Sequence, residues 1–319
     1  GPAQRHLCLR AAGRGAAFVR LPEAATRLLA VVLMALAPLS AAAALVSDAL
    51  AARVAGWQRM IDPLMPALLL LVLMVVAWAL VQARRRAHQH AAAGEALAAP
   101  FGWRRGLGLG ALALGFALLA AAIGGHDTHQ RLLQWDAAVV AAAQRGVSPA
   151  TQQALRWVSD LGDVLVLTPL VLAVFGGLLL RRQRVLALGW LLAVLVNSLA
   201  VRVLKGAIGR ERPAGAAELV TSGASFPSGH AAGALLVYGL LLWIVLPLVA
   251  RRRWRAVLAV AGGVLIGAIV VSRVLLRVHF VSDVVGGLLL AGFTLLLATG
   301  LLRPWRPGDG VEWERPWPR

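Results

Sequence analysis

Apolar residues rich in Leu, Ala and Val run through this chain in long stretches, and polar residues gather in short clusters between them. Eight stretches are long enough to be crossing candidates, at residues 28–45, 64–81, 107–124, 164–180, 185–204, 230–250, 256–272 and 281–302. A hydrocarbon layer of ~30 Å takes roughly 20 residues of helix to cross. Lipid offers no partner to a bare backbone N–H or C=O, so the stretches are helices rather than open strands. The pattern therefore predicts an all-α integral membrane protein.

The polar stretch 48–62 divides the first two spans, which form an N-terminal hairpin. Residues 126–162 are too polar to cross, yet Leu132, Leu133, Val139, Val140, Leu155, Trp157 and Val158 recur at helical intervals. Short amphipathic helices on the outer surface satisfy both facts, the second starting at Pro149 after Ser148. The tail after Pro304 is rich in Pro, Trp and Arg and reads as an interfacial segment anchored by Trp305, Trp313 and Trp317.

Composition agrees with this class, because 60% of residues are hydrophobic and mean hydropathy is +0.76. The formal charge of +18 raises the question of nucleic acid. The positions of the cations answer it. Arg5 to Arg27, Arg84 to Arg86, Arg104 and Arg105, Arg181 to Arg184, Arg251 to Arg255, and Arg303 onward all fall on one side if the N-terminus is cytoplasmic. This is the bias of cytoplasmic loops, and no nucleic-acid partner is expected. Eight spans then put both termini inside. Cys8 stands alone, so no internal disulfide and no redox chemistry are indicated. The first span is longer than a signal-peptide core and lacks a clear cleavage site, and it reads as a retained helix.

Three polar clusters fall at span ends on the outer side. Lys205, Arg212 and Pro213 follow the fifth span; lysine brings a point charge and arginine a planar fork that matches two phosphoryl oxygens. Pro227-Ser228-Gly229-His230 opens the sixth, where Ser228 can cap the helix, Gly229 lets backbone approach a ligand, and free N–H groups attract anions. Ser272-Arg273 closes the seventh, and His279 and Asp283 follow four residues apart, on one face if the eighth helix starts early. An Asp one turn from a His can accept its ring proton, which leaves the other nitrogen free for attack.

Each cluster alone has an ordinary reading: snorkelling cations, loop punctuation, a structural His-Asp pair. Together their contents are complementary, and they supply the parts for phosphoryl transfer through a histidine without a metal or cofactor. Arg210, Glu211 and Arg277 read as loop charges, His126 and His129 as interface residues, and His88 and His90 lie on the opposite face. Asn197 and Ser198 read as helix–helix hydrogen-bonding residues.

The patterns Lys-x6-Arg-Pro, Pro-Ser-Gly-His and Ser-Arg-x5-His-x3-Asp occur here in order, and in this the chain resembles the type 2 phosphatidic acid phosphatase (PAP2) superfamily. The resemblance covers about residues 107–302 and implies a six-helix core, to which the hairpin is an addition. The chain then divides into a cytoplasmic segment 1–27, a hairpin and basic loop 28–106, the core 107–302 and a cytoplasmic tail 303–319.

The resemblance implies that His279 is the nucleophile, Asp283 its orienting partner and His230 the general acid. It implies that Lys205, Arg212, Arg273, Ser228 and the Gly229 amide hold the phosphoryl oxygens. The expected substrate is a membrane lipid phosphate or diphosphate, with undecaprenyl diphosphate, phosphatidic acid, phosphatidylglycerol phosphate and lipid A phosphate as candidates. The wealth of Ala, Arg and Gly points to a GC-rich bacterial genome, which makes the outer face periplasmic. Three alternatives stay open: transfer to an acceptor lipid, a vanadate-dependent haloperoxidase chemistry, and non-enzymatic lipid binding or transport. Oligomeric state has no signal.

Overall fold

The computed structural model describes residues 103–144, 147–213 and 223–303. The predicted hairpin, His88, His90 and the Trp-rich tail lie outside them. The described residues form helices and no strand: α1 (Trp103–Gly124), α2 (His126–Gln144), α3 (Pro149–Asp160), α4 (Val164–Leu180), α5 (Arg184–Ile208), α6 (Gly229–Val245), α7 (Arg252–Leu275) and α8 (Val281–Leu302). A 3₁₀ turn, Leu246–Leu248, extends α6. Six helical segments among these residues are long and apolar enough to cross a membrane, beginning with Arg104–Gly124 and ending with Val281–Leu302. They match the six core spans expected from the hydropathy pattern.

Local chemistry sets the helix ends. Ser148 caps α3, its Oγ accepting the Thr151 N–H at 3.2 Å, with Pro149 in the first turn. Asp163 caps α4 by accepting the Leu165 N–H at 2.9 Å. At the other end of α5, Gly209 adopts the left-handed conformation (φ 63°) and returns its N–H to Lys205 O. Glycine takes this backbone without a Cβ clash, so the chain turns sharply out of the helix and into the site loop.

α6 and α8 form the centre, packed on each other and flanked by α5, α4 and α7. Their meeting point is close. A Cβ added to Gly287 would stand 2.5 Å from Ser228 O, so only glycine lets α8 pass beside the start of α6. Leu170, Val174, Leu186, Trp190, Leu236, Leu240, Ile244 and Ile269 fill the interior, and Trp190 Nε1–H is satisfied by Val171 O at 3.1 Å. α1 lies outside α8, and it turns Leu107, Leu114 and Leu118 outward, as α7 does Val257, Val260 and Val264. Such faces suit acyl chains, where exposed apolar surface costs nothing.

Thr294 Oγ1 reaches Asn197 Oδ1 at 3.5 Å across α8 and α5, a contact of the kind expected for Asn197, while Ser198 is exposed and takes no such part. α2 and α3 are the two amphipathic helices. Leu155 and Val158 are half-buried, but Trp157 is 65% exposed and Trp135 on α2 54% exposed, a placement that fits aromatic rings at a water–lipid boundary rather than in a core. With the spans running alternately, the ends carrying Arg104, Arg181, Arg184, Arg251 to Arg253 and Arg303 lie at one side of the bundle. α2, α3, the α5–α6 loop and the α7–α8 turn gather at the other.

Candidate active site

The α7–α8 turn brings His279 to the middle of this second side. It is not on α8, which begins at Val281 with Phe280 as its cap residue. Asp283 lies in the first turn and accepts the Phe280 N–H at 2.9 Å, so the helix start itself aims the carboxylate back at the turn. His279 Nδ1 stands 3.5 Å from Asp283 Oδ2 and 3.4 Å from Ser225 Oγ, and the Ser225 hydroxyl donates to the same carboxylate oxygen. The four-residue spacing therefore works without a shared helical face.

The opposite ring nitrogen, Nε2, lies 3.4 Å from an Arg212 guanidinium nitrogen. The His279 side chain is 2% exposed, and burial pushes its pKa down to about 3; Asp283 pulls the other way, while Arg212 and Arg273 add to the depression. The ring is thus neutral at ordinary pH. With its proton on Nδ1 toward Asp283, the Nε2 lone pair is free on the Arg212 side, a tautomer assigned from these neighbours.

Behind Asp283 lies a network that sequence reading missed. Arg210, read as a loop charge, is 5% exposed and bridges Asp283 Oδ1 at 2.7 Å and Asp136 Oδ2 at 2.8 Å. Its guanidinium also donates to Ser282 Oγ at 2.5 Å and lies 4.6 Å over the Phe280 ring. Asp136, fully buried on α2, accepts the Ser282 N–H at 3.1 Å and the Ser282 hydroxyl. A buried cation between two buried carboxylates holds their charge where water cannot reach. A signal for Asp136 was present, since an acid placed among Leu132, Leu133 and Val140 on an apolar stripe requires a buried partner. Ser225 gave none.

The cations divide their duties. Arg212 donates to Val278 O at 2.7 Å and to Gly223 O at 3.0 Å, tying the α5–α6 loop to the turn that carries His279. Lys205, in the last turn of α5 rather than past its end, donates to Ala224 O and stands 3.4 Å from Ser225 O. Arg273, 8% exposed at the end of α7, donates to Ser159 Oγ of α3, and its Nε is buried without a partner. Ser228, fully buried, caps α6 by accepting the Ala231 N–H at 3.5 Å and gives its own N–H to Asp283 O at 2.9 Å. Its hydroxyl proton remains to donate, and the Gly229 amide is in the first turn beside it.

His230 follows in that turn, and both imidazoles lie close enough to Arg212 and Arg273 to feel their charges. His230 Nε2 is 3.4 Å from Asp163 Oδ2, a partner that sequence reading did not single out. His126 and His129 fall in the first turn of α2. Glu211 is exposed and Arg277 half-buried in the α7–α8 turn.

Comparison with known proteins gives the same assignment from outside. The family model of the PAP2 superfamily matches residues 186–306, which hold all three polar clusters. Phosphatidylglycerophosphatase B of Bacillus subtilis (strain 168) is 34% identical over 195 residues, covering 59% of this chain and 92% of that protein. This chain belongs to the PAP2 superfamily. As a PAP2 member it is an integral membrane lipid phosphatase. The crystal structure of a transmembrane PAP2 type phosphatidylglycerolphosphate phosphatase from Bacillus subtilis has the same fold, with a TM-score of 0.56 and 30% identity over 61% of this chain and 96% of that one. The family model itself runs from the start of α5 to the end of α8.

Proposed function

We propose that this protein hydrolyses a lipid phosphate or diphosphate of the phosphatidylglycerol phosphate, phosphatidic acid or undecaprenyl diphosphate class, without a metal, through a phosphohistidine. The observation that carries the reading is His279: a buried neutral imidazole with Nδ1 toward Asp283 and Ser225 and Nε2 beside Arg212. Similarity to a protein named phosphatidylglycerophosphatase B favours a glycerolipid phosphate among these candidates.

In the first step the His279 Nε2 lone pair attacks phosphorus and the bond to the lipid oxygen breaks, with His230 giving that oxygen a proton. In the second, His230 takes a proton from water as it attacks, and the P–N bond breaks. Asp283 stabilises the cationic ring between the steps. Arg212, Arg273 and Lys205, with the Ser228 hydroxyl and the Gly229 amide, meet the charge on the transferring oxygens, a class of interaction worth ~10²–10³ in rate per donor. The arginines at the opposite ends of the spans make that side cytoplasmic, so the site faces the periplasm and both termini of the chain lie in the cytoplasm. The core then runs over 107–302, with the hairpin 28–106 and the terminal segments outside the catalytic unit.

Purified protein in EDTA is expected to release phosphate from a panel of these lipids, and His279→Ala to lose that release while folding normally. Rapid quench should capture a phosphoenzyme stable in alkali and labile in acid, as phosphohistidine is. Phosphate release that survives His279→Ala, or that stops in EDTA, defeats the proposal.

A further inference from the structure

The two imidazoles of the site each face a carboxylate, but at different depths. His279 and Asp283 have side chains 2% and 0% exposed; His230 and Asp163 are 22% and 35% exposed. Two pairs of the same residue types, one fully buried and one half-buried at the rim, divide naturally into a neutral nucleophile and a proton carrier. We propose that Asp163 is a positioning residue for His230, holding Nε2 so that Nδ1 carries the proton to and from the reacting oxygen. This rests on the reading of His230 as general acid and base.

The carboxylate is itself held. One oxygen accepts the Leu165 N–H at 2.9 Å as the cap of α4, and the other stands 3.4 Å from His230 Nε2. The turn that carries it is fixed from two sides. Tyr238 Oη of α6 donates to Leu161 O at 2.7 Å, and a Cβ at Gly162 would lie 2.6 Å from Ile269 of α7 and 3.5 Å from the His230 ring. The 3.4 Å separation is longer than a settled N–H···O bond and leaves the ring room to shift as it carries a proton.

Charge gives Asp163 its consequence. The groups that act on His230 are Arg273 from α7, Arg212 from the α5–α6 loop and Asp163 from the start of α4. Asp163 is the carboxylate among them, and its charge complements an imidazolium. Without Asp163 the acid form is confined to lower pH, and protonation of a poor leaving group fails at neutral pH.

Asp163→Asn separates this role from helix capping, because Asn caps as well as Asp and lacks the charge. The enzyme is assayed with phosphatidic acid in mixed micelles and with p-nitrophenyl phosphate, whose leaving group departs without a proton, from pH 5 to 9. For phosphatidic acid, kcat/KM of Asp163→Asn is expected to fall ~10–100-fold, part of what general acid catalysis supplies. Its alkaline limb is expected to move to lower pH, and Asp163→Glu to recover part of the loss. The aryl phosphate is expected to lose far less. An equal loss on both substrates, or an alkaline limb that stays in place, overturns the inference. His230→Ala provides the reference. If it separates the two substrates and Asp163→Asn does not, the inference alone fails; if it too affects both equally, the acid assignment of His230 fails and takes the inference with it.

Discussion

Arg210 shows how much one side chain can hold in a site of this kind. It neutralises Asp136 and Asp283 together, with all three buried. Removing one partner of a buried ion pair leaves an uncompensated charge, at about 3–5 kcal/mol. Arg210→Ala is therefore expected to lower the unfolding temperature in detergent by far more than substitution of exposed Arg202, and to abolish phosphate release; an unchanged melting curve contradicts the network. His279 gives a pH signature. Its folded pKa, about 3, lies below the ordinary histidine value, so below pH 6.5 the unfolded chain takes up a proton that the folded chain refuses. Stability from this residue is complete above pH 6.5 and is lost as pH falls toward 3. The melting temperature of the wild type is expected to fall between pH 6.5 and 4 more steeply than that of His279→Asn, and parallel curves count against a neutral buried ring. His279, His230 and Asp283 were visible in the sequence because their spacings survive as a pattern. Arg210 and Asp163 were not, because nothing in a linear chain says that a loop arginine will be folded inward or that a capping aspartate will also face an imidazole.

The helices were legible for a plain reason: apolar runs of bilayer length allow only one backbone arrangement. Where they meet was not legible. Nothing in the sequence singles out Gly287, yet a Cβ on it would fall 2.5 Å from the Ser228 carbonyl. Gly287→Val is expected to push the starts of α6 and α8 apart, displacing Ser228 and His230 from His279, and to cut kcat at least ~10²-fold, since small misplacements of reacting groups cost about that much. Gly267→Ala is the control. Gly267 has open space around its missing Cβ, and the change is expected to leave activity alone and to stabilise α7 slightly. Equal effects of the two substitutions speak against the close crossing. The amphipathic pair α2 and α3 was foreseen as short helices on the outer surface. Its deeper function, supplying Asp136 and Ser159 to the arginines of the core, depends on tertiary packing that periodicity does not contain.

For the whole molecule the sidedness of the bundle is the property that decides which leaflet supplies substrate. On a Cys8→Ser background, single cysteines at Ser148 and Arg277 are expected to react with a membrane-impermeant maleimide added outside the inner membrane. Cysteines at Gln183 and Arg303 are expected to react only after permeabilisation. The reverse pattern places the chemistry in the cytoplasm and removes the proposed orientation while leaving the hydrolytic mechanism intact. Composition could support that orientation because arginines avoid translocation, but it carries no information on how tightly the periphery is joined to the centre. The structure does. Arg210 and Ser282 together moor α2, through Asp136, to Asp283 at the start of α8, so in the proposed mechanism a tilt of α2 is expected to alter the aim of the His279 ring that Asp283 faces. Phosphate release is then expected to vary with the thickness of the lipid bilayer in which the protein is reconstituted, with no effector required.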